Sequence, residues 1–515
     1  LIASACNGLI VMPGGSSGSA GTAGTVGVSG SAGTTGRGGS AAPGGTTGSA
    51  GTGNAAGTGA TIGTGTAGNG AAGTDATGAA GAAGSPWRDG GASGSGTAGA
   101  GAAGVGGGSA GGAGGTMPAR GPTPAMPGMN FPFPQNRSMA GCVFPTGNLN
   151  ADVVAAYNQW KNDTVTTNGA NGFRRVQRTS SDGVSMSTPA NSTVSEGIGY
   201  GMLIAVYMND QSLFDDLWKY EQGFLDKYGL MDWAISSDGK TRTGTGAATD
   251  ADEDMAFALV MASQQWGGQG SLSKKYSDYA LGQIDNIWNN EIYQSKLIRN
   301  GDTWGDWNNL NISYFAPAYY RVFDMIDTDT THAWADVVTT VYDTITAALN
   351  ASNKNMSNGL VPAWCTSTGT PAQTTPGQAA EAFYYQYDAC RTPFRIGLDW
   401  CWFGETRARD YVAKTSTFFS GVGAANIVDS YNMDGTPYSS AHAVSAGQSA
   451  AFLGPAAVGA MSNASYQSFL DAAYGRLATH QLLVGGAYYD ESWSVMSMLM
   501  LTGNFLNYTA ITPAH

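Results

Sequence analysis

From about residue 150 onward, apolar residues recur at three- and four-residue spacing, the period of an α-helix. The pattern predicts helices near 150–162, 195–208, 211–227, 252–266, 273–290, 313–326, 331–350, 392–402, 404–420, 443–460, 463–480 and 489–503. Gly, Asn, Asp, Ser and Pro fill the connections between them. Some of these stretches, such as 197–207 and 255–263, are apolar nearly all round, as helices buried on every side are. Others, such as 273–290, carry a polar face. About twelve helices of two kinds suggest an inner and an outer layer, a double helical barrel, with a generic helical domain as the alternative.

The first 120 residues have no such pattern. They are almost entirely Gly, Ala, Ser and Thr, with Trp87 the one tryptophan. A segment of this kind cannot bury enough apolar surface to offset its chain entropy. Residues 7–120 therefore read as a flexible linker, with a root-mean-square span of roughly 60 Å. Gly94, Gly96 and Gly99 have a G-x-G-x-x-G spacing, but neither a strand nor a helix pattern flanks them, so they read as low complexity. Prolines between 118 and 134 predict an extended run, and residues 121–515 are enough for one large domain with a sizeable core.

Residues 1–6 read Leu-Ile-Ala-Ser-Ala-Cys, with small residues ahead of Cys6. That resembles the end of a bacterial lipoprotein signal, with Cys6 lipidated; the remnant of an ordinary signal peptide is the alternative. Either reading places the protein outside the cell or on a bacterial surface. No apolar run is long enough to span a membrane.

The net charge is −13, and the first 120 residues contribute +1 of it. The acidic remainder argues against nucleic acid or an anionic membrane as partner. Cys142, Cys365, Cys390 and Cys401 show no C-x-x-C spacing, so neither a metal nor a redox site is expected. Cys390 and Cys401 stand too far apart along one helix to pair; a disulfide among the others stays open. The four histidines have no metal-ligand spacing, and no cofactor is expected.

Three carboxylates stand out. Glu196 follows Thr193 at capping-box spacing, which predicts a side chain bonded back to its own helix start. Gly197, Gly199 and Gly201 weaken that reading and, with Tyr200, would make a floor for a sugar. Asp250, Asp252 and Asp254 open like a calcium loop, but Met255 and Met261 occupy its required Gly and Glu positions. They read instead as acids of a first helical turn, or as carboxylates at a barrel mouth. Asp388 precedes Thr392 and Pro393, an N-cap and first helical residue, so a helix start would favour its ionised form; a pair with Arg391 is the local alternative. Trp233, Trp304, Trp307, Tyr314, Tyr387, Tyr488 and Tyr489 sit at loop–helix junctions, and aromatic faces suit the apolar faces of sugars.

The run Ala248-Thr249-Asp250-Ala251-Asp252-Glu253-Asp254-Met255-Ala256, continuing to Ala262 and Trp266, closely resembles the signature of glycoside hydrolase family 8. Ser195-Glu196-Gly197, Ser313-Tyr314-Phe315-Ala316-Pro317 and Tyr387-Asp388-Ala389 with Arg391 resemble the same family in the same order. Gly359-Leu360-Val361-Pro362, with Trp364 and Cys365, and Trp402-Phe403-Gly404 bring it nearest the bacterial endoglucanases. The resemblance implies an all-α (α/α)6 barrel with a cleft across one end, and hydrolysis with inversion. By motif it implies Glu196 as general acid, Asp388 as general base and Asp250 as the residue holding the distorted sugar. Trp233, Trp304, Tyr314, Tyr387, Arg391 and one of Tyr488 or Tyr489, here Tyr489, would bind substrate.

The expected function is therefore that of a secreted, monomeric endo-β-1,4-glucanase acting on cellulose or mixed-linkage β-glucan. The same machinery acting on xylan or chitosan is the first alternative. A glycan-binding protein without activity is the second; it would keep the aromatics and lose a carboxylate.

Overall fold

The computed structural model describes residues 130–180, 182, 188–372, 381–438, 447–482 and 486–511. Segment 1–6 with Cys6, the linker 7–120, and the first residues of the helix expected at 443–460 lie outside the described residues.

The described chain folds into twelve α-helices. Six are buried nearly throughout: α2 (Ser195–Tyr207), α4 (Thr249–Gln265), α6 (Pro317–Ile326), α8 (Thr392–Phe403), α10 (Ala450–Ala460) and α12 (Ser492–Leu501). The other six bury one face: α1 (Asn150–Thr164), α3 (Gln211–Glu221), α5 (Tyr276–Glu291), α7 (Trp334–Ala348), α9 (Thr406–Val422) and α11 (Gln467–Leu477). The two kinds alternate strictly along the chain. Each buried helix packs on the next, and α12 packs back on α2. The result is an (α/α)6 barrel, because a helix that is apolar all round is satisfied only inside a ring of others.

Strands are short: β1 (Val165–Thr166) with β2 (Arg175–Val176), β3 (Thr193–Val194) with β4 (Ala234–Ile235) and β5 (Arg242–Gly244), and β6 (Tyr384–Tyr385) with β7 (Tyr431–Asn432). All pairings are antiparallel. β3 runs directly into α2, and β4 follows Trp233, whose carbonyl accepts the Ser195 amide at 3.0 Å. This small sheet fixes where α2 begins.

Several expected ends move. α4 starts at Thr249 rather than 252, which puts Asp250 and Asp252 in its first turn. α6 starts at Pro317 rather than 313, since Pro favours a first helical position and Ser313 belongs to a tight turn at Ile312–Tyr314. α10 starts at Ala450, where Ser449 caps it by accepting from the Ala451 amide. α12 is preceded by a π-turn, Ala487–Glu491.

Cys142 and Cys401 form a disulfide across 259 residues, tying the segment before α1 to the end of α8. Cys365 and Cys390 are free and buried. Among the described residues, no helix is long and apolar enough to cross a membrane.

Candidate active site

The first turns of the inner helices converge at one end of the barrel. Glu196 is the second residue of α2 and Asp250 the second of α4. Ser313 and Tyr314 precede α6, Asp388 and Arg391 precede α8, and Tyr488 lies in the π-turn before α12. Helix N-termini carry partial positive charge, so this end suits carboxylates.

Close contact between α2 and α4 brings the first two acids together. A Cβ added at Gly199 would meet the Ala251 carbonyl and the Asp254 Cβ, each at 3.1 Å. One at Gly201 would meet Leu217 and Val176 at 2.9 Å. The glycines thus admit neighbouring elements of the fold, and the expected sugar floor along them is filled by protein. Tyr200 likewise is buried, and its hydroxyl donates to Glu196 Oε1 at 2.6 Å.

The expected capping box does not form. Thr193 Oγ1 donates to the Val176 carbonyl at 2.7 Å, and no side chain caps α2. Glu196 instead accepts from Tyr200 and Arg391 on Oε1 and from Tyr488 on Oε2, the last at 2.7 Å. Nor does Thr392 cap α8; its hydroxyl donates to the Ala389 carbonyl.

Arg391 joins the site. Its Nη1 lies 2.5 Å from Glu196 Oε1 and 2.7 Å from Asp250 Oδ2. Its Nε donates to Ser313 Oγ at 3.0 Å, its guanidinium lies 5.0 Å from the Tyr314 ring centre, and Nη2 faces Asp388 Oδ1 at 3.9 Å. One fully buried cation therefore contacts three carboxylates from α2, α4 and the turn before α8. Asp388 Oδ2 accepts from Trp364 Nε1 at 3.2 Å and Gln386 Nε2 at 3.3 Å.

The aromatic residues surround these groups. Trp364 contacts the rings of Trp304 and Tyr314, each at 6.3 Å between centres. Trp304 donates its indole N–H to the Ala247 carbonyl at 2.7 Å. Trp233 lies over Gly244, where any Cβ would collide with its indole. Tyr387 donates to Asp429 and packs on Phe452 and Tyr489. Of the adjacent tyrosines, Tyr488 reaches Glu196, while Tyr489 turns to the Tyr387 carbonyl at 2.9 Å. Trp307 is exposed on the loop after Trp304. Sequence reasoning did not single out Gln386 or the link from Trp364 to Asp388, and no periodic or motif signal points to either.

The acids of α4 diverge to four partners. Asp250 meets Arg391, Asp252 accepts from Gln283 at 3.3 Å, Glu253 accepts from Tyr320 at 2.5 Å, and Asp254 pairs with Arg395. Among the described residues, no group of three or more His, Cys, Asp or Glu is arranged to hold a metal ion.

Burial pushes the Asp250 carboxyl up to about 8; Arg391 pulls it down, and the charge of Glu196 adds to the rise. Burial likewise pushes Glu221, Glu291 and Glu491 up to about 8, and raises Asp252. These groups hold protons in the fold that they lose on unfolding above roughly pH 4. The native state then binds more protons than the unfolded chain, so stability falls as pH rises, down to a floor near pH 8. Glu405, held at about 2 by Arg407 and Arg321 against the effect of burial, acts oppositely but only below roughly pH 4. The melting temperature is therefore expected to fall steadily from about pH 5 to about pH 8; a rise across that window would contradict it.

The sequence model of glycosyl hydrolases family 8 matches residues 131–503. Endoglucanase C of Ruminiclostridium cellulolyticum is 36% identical over 384 residues, covering 73% of this chain and 77% of the relative. Endoglucanase A of Acetivibrio thermocellus is 36% identical over 363 residues, covering 70% of each. The apo structure of a β-1,3-1,4-glucanase from Paenibacillus sp. X4 superposes with a TM-score of 0.64 at 29% identity, covering 73% of this chain and 99% of that one. With this barrel, three carboxylates gathered at its end and these relatives, the chain belongs to glycosyl hydrolases family 8 and is a glycosidase of the endoglucanase type.

Proposed function

We propose that the protein is a secreted, inverting endo-β-1,4-glucanase acting on cellulose or mixed-linkage β-glucan. The observation that carries this reading is the single guanidinium of Arg391 between Glu196 and Asp250 on one arm and Asp388 on the other. An inverting displacement needs one protonated and one ionised carboxyl, set apart to admit water. The Arg391 guanidinium lies between Glu196 and Asp388, which supports that arrangement.

Glu196 and Asp250 share one Nη1 of Arg391. Burial pushes the Asp250 carboxyl beside it up to about 8, and the role of general acid requires Glu196 to deliver a proton to the leaving oxygen. In the reaction, Asp388 takes a proton from water, and the water oxygen bonds to the anomeric carbon. The glycosidic C–O bond breaks, and its oxygen takes the proton of Glu196. Asp250 holds the sugar at the cleavage point, and the rings of Trp304, Tyr314 and Trp233 supply apolar faces for neighbouring sugars.

The substrate follows the relatives called endoglucanase and β-1,3-1,4-glucanase. The test offers carboxymethylcellulose, barley β-glucan, xylan and chitosan to the purified full chain and counts new reducing ends. Proton NMR of fresh product reads the anomer. Activity on the glucans with α-anomeric product is expected. Activity confined to xylan or chitosan would overturn the substrate, and β-anomeric product would overturn inversion. Secretion predicts that intact producing cells degrade glucan added outside; activity appearing only after lysis would reject it.

A further inference from the structure

We propose that Trp364 and Gln386 clamp one oxygen of Asp388, and that Trp364 is thereby a positioning residue for the water-activating step. The inference rests on the assignment of Asp388 as base.

A carboxyl group turns easily about its last side-chain torsion, whose energy profile is broad. A general base works only when its oxygen stays within hydrogen-bond reach of the water it deprotonates. Something must therefore stop Asp388 from turning. Two N–H donors meet at its Oδ2: Trp364 Nε1 at 3.2 Å and Gln386 Nε2 at 3.3 Å. Gln386 also accepts the Asp388 amide on Oε1 at 2.9 Å, so its side chain is held at both ends by the residue it orients.

Trp364 is placed independently of Asp388. Its carbonyl accepts the Ala372 amide at 3.0 Å. The Ala363 amide before it donates to the Tyr384 carbonyl at 3.0 Å, and Cys365 after it exchanges backbone bonds with Leu310 at 2.7 and 2.9 Å. Its ring is buried against Trp304 and Tyr314. The indole nitrogen is thus a fixed donor aimed at a movable carboxylate.

An indole N–H can only donate. Oδ2, already accepting from two donors, is the poorer site for a further proton. The geometry assigns Oδ1, on the side of Arg391 Nη2, as the oxygen that takes the proton from water. It also couples binding to chemistry, because a sugar resting on Trp304 and Tyr314 bears on the ring that holds the base.

The test compares full-length Asp388→Asn, Trp364→Phe and Gln386→Leu on barley β-glucan. Trp364→Phe keeps a ring against Trp304 and Tyr314 but removes the N–H. It is expected to lower kcat about tenfold with KM held within about twofold, as loss of an interaction needed only in the transition state does. Gln386→Leu should act the same way, and the double variant should show non-additive loss, since both donors serve one oxygen. A kcat within about twofold of wild type in Trp364→Phe, or a loss appearing only as raised KM, would overturn the clamp. If Trp364→Phe does not fold, Gln386→Leu decides by the same split. An active Asp388→Asn would instead refute the base itself, so the two failures stay distinct.

Discussion

Glu196→Gln is expected to lower kcat on β-glucan by about 10²–10⁴-fold while the fold survives. The substitution keeps the shape of the side chain and removes its ability to deliver a proton. The amide oxygen can still accept from Tyr200 and Arg391, and the new NH₂ can donate to the Tyr488 oxygen in place of accepting from it. No buried polar group is left unsatisfied, so the melting curve should move little. The chemical signature is sharper than the rate alone. A β-glucoside with an acidic phenol as leaving group needs little help from an acid, so the variant should recover much of its deficit on such a substrate. A variant retaining more than about one-hundredth of the wild-type rate on polymer would sink the acid assignment. An equal deficit on both substrates would point to lost binding geometry rather than a lost proton.

The barrel was legible because its inner helices are apolar on every face, as in 197–207, and the outer ones are not. The boundaries that moved are those where polar residues turned inward. Asp250, Asp252 and Asp254 read as acids of a first helical turn or as carboxylates at a barrel mouth, and with Glu253 they each meet a different partner: Arg391, Gln283, Arg395 and, for Glu253, Tyr320. Periodicity measures hydrophobicity and cannot see a buried acid with a partner 141 residues away, as Asp250 and Asp254 both have. The capping-box spacing at Thr193 and Glu196 was real in sequence but lost locally, because stronger donors from the turn before α8 and from the π-turn claim the glutamate.

The choice between Tyr488 and Tyr489 shows a different limit. Adjacent residues on a helix differ by about 100° in direction, and a π-turn adds a residue that shifts the phase. Which ring faces Glu196 therefore depends on a backbone irregularity at Ala487–Glu491 that the flanking glycines do not announce. Trp364 was visible only as part of a motif. Its bond to Asp388 joins two loops 24 residues apart, neither of which has a period to read.

Arg391→Met should be the most damaging single change, costing about 3–5 kcal/mol of stability as well as activity. The side chain is fully buried, and its Nη1 sits between Glu196 and Asp250. Removing the cation leaves two carboxyls in a low-dielectric site without the guanidinium that both contact, and burial already pushes Asp250 up to about 8. The sign of the pH effect follows. Arg391 lowers the affinity of Asp250 for its proton, so in the variant Asp250 rises further and keeps its proton in the fold to a higher pH. The stability gap between variant and wild type should therefore widen above about pH 8, where the wild-type Asp250 carboxyl has ionised and the variant's still holds its proton. Urea denaturation below and above that pH measures it, and a gap that narrowed with rising pH would refute the picture. Arg391→Lys separates charge from shape. A lysine restores a cation and should recover part of the stability, but one ammonium cannot hold Glu196, Asp250 and Ser313 in the fixed fork of a guanidinium. Recovered stability with kcat still far below wild type would show that Arg391 does more than neutralise charge: it sets where the acid and its partner stand.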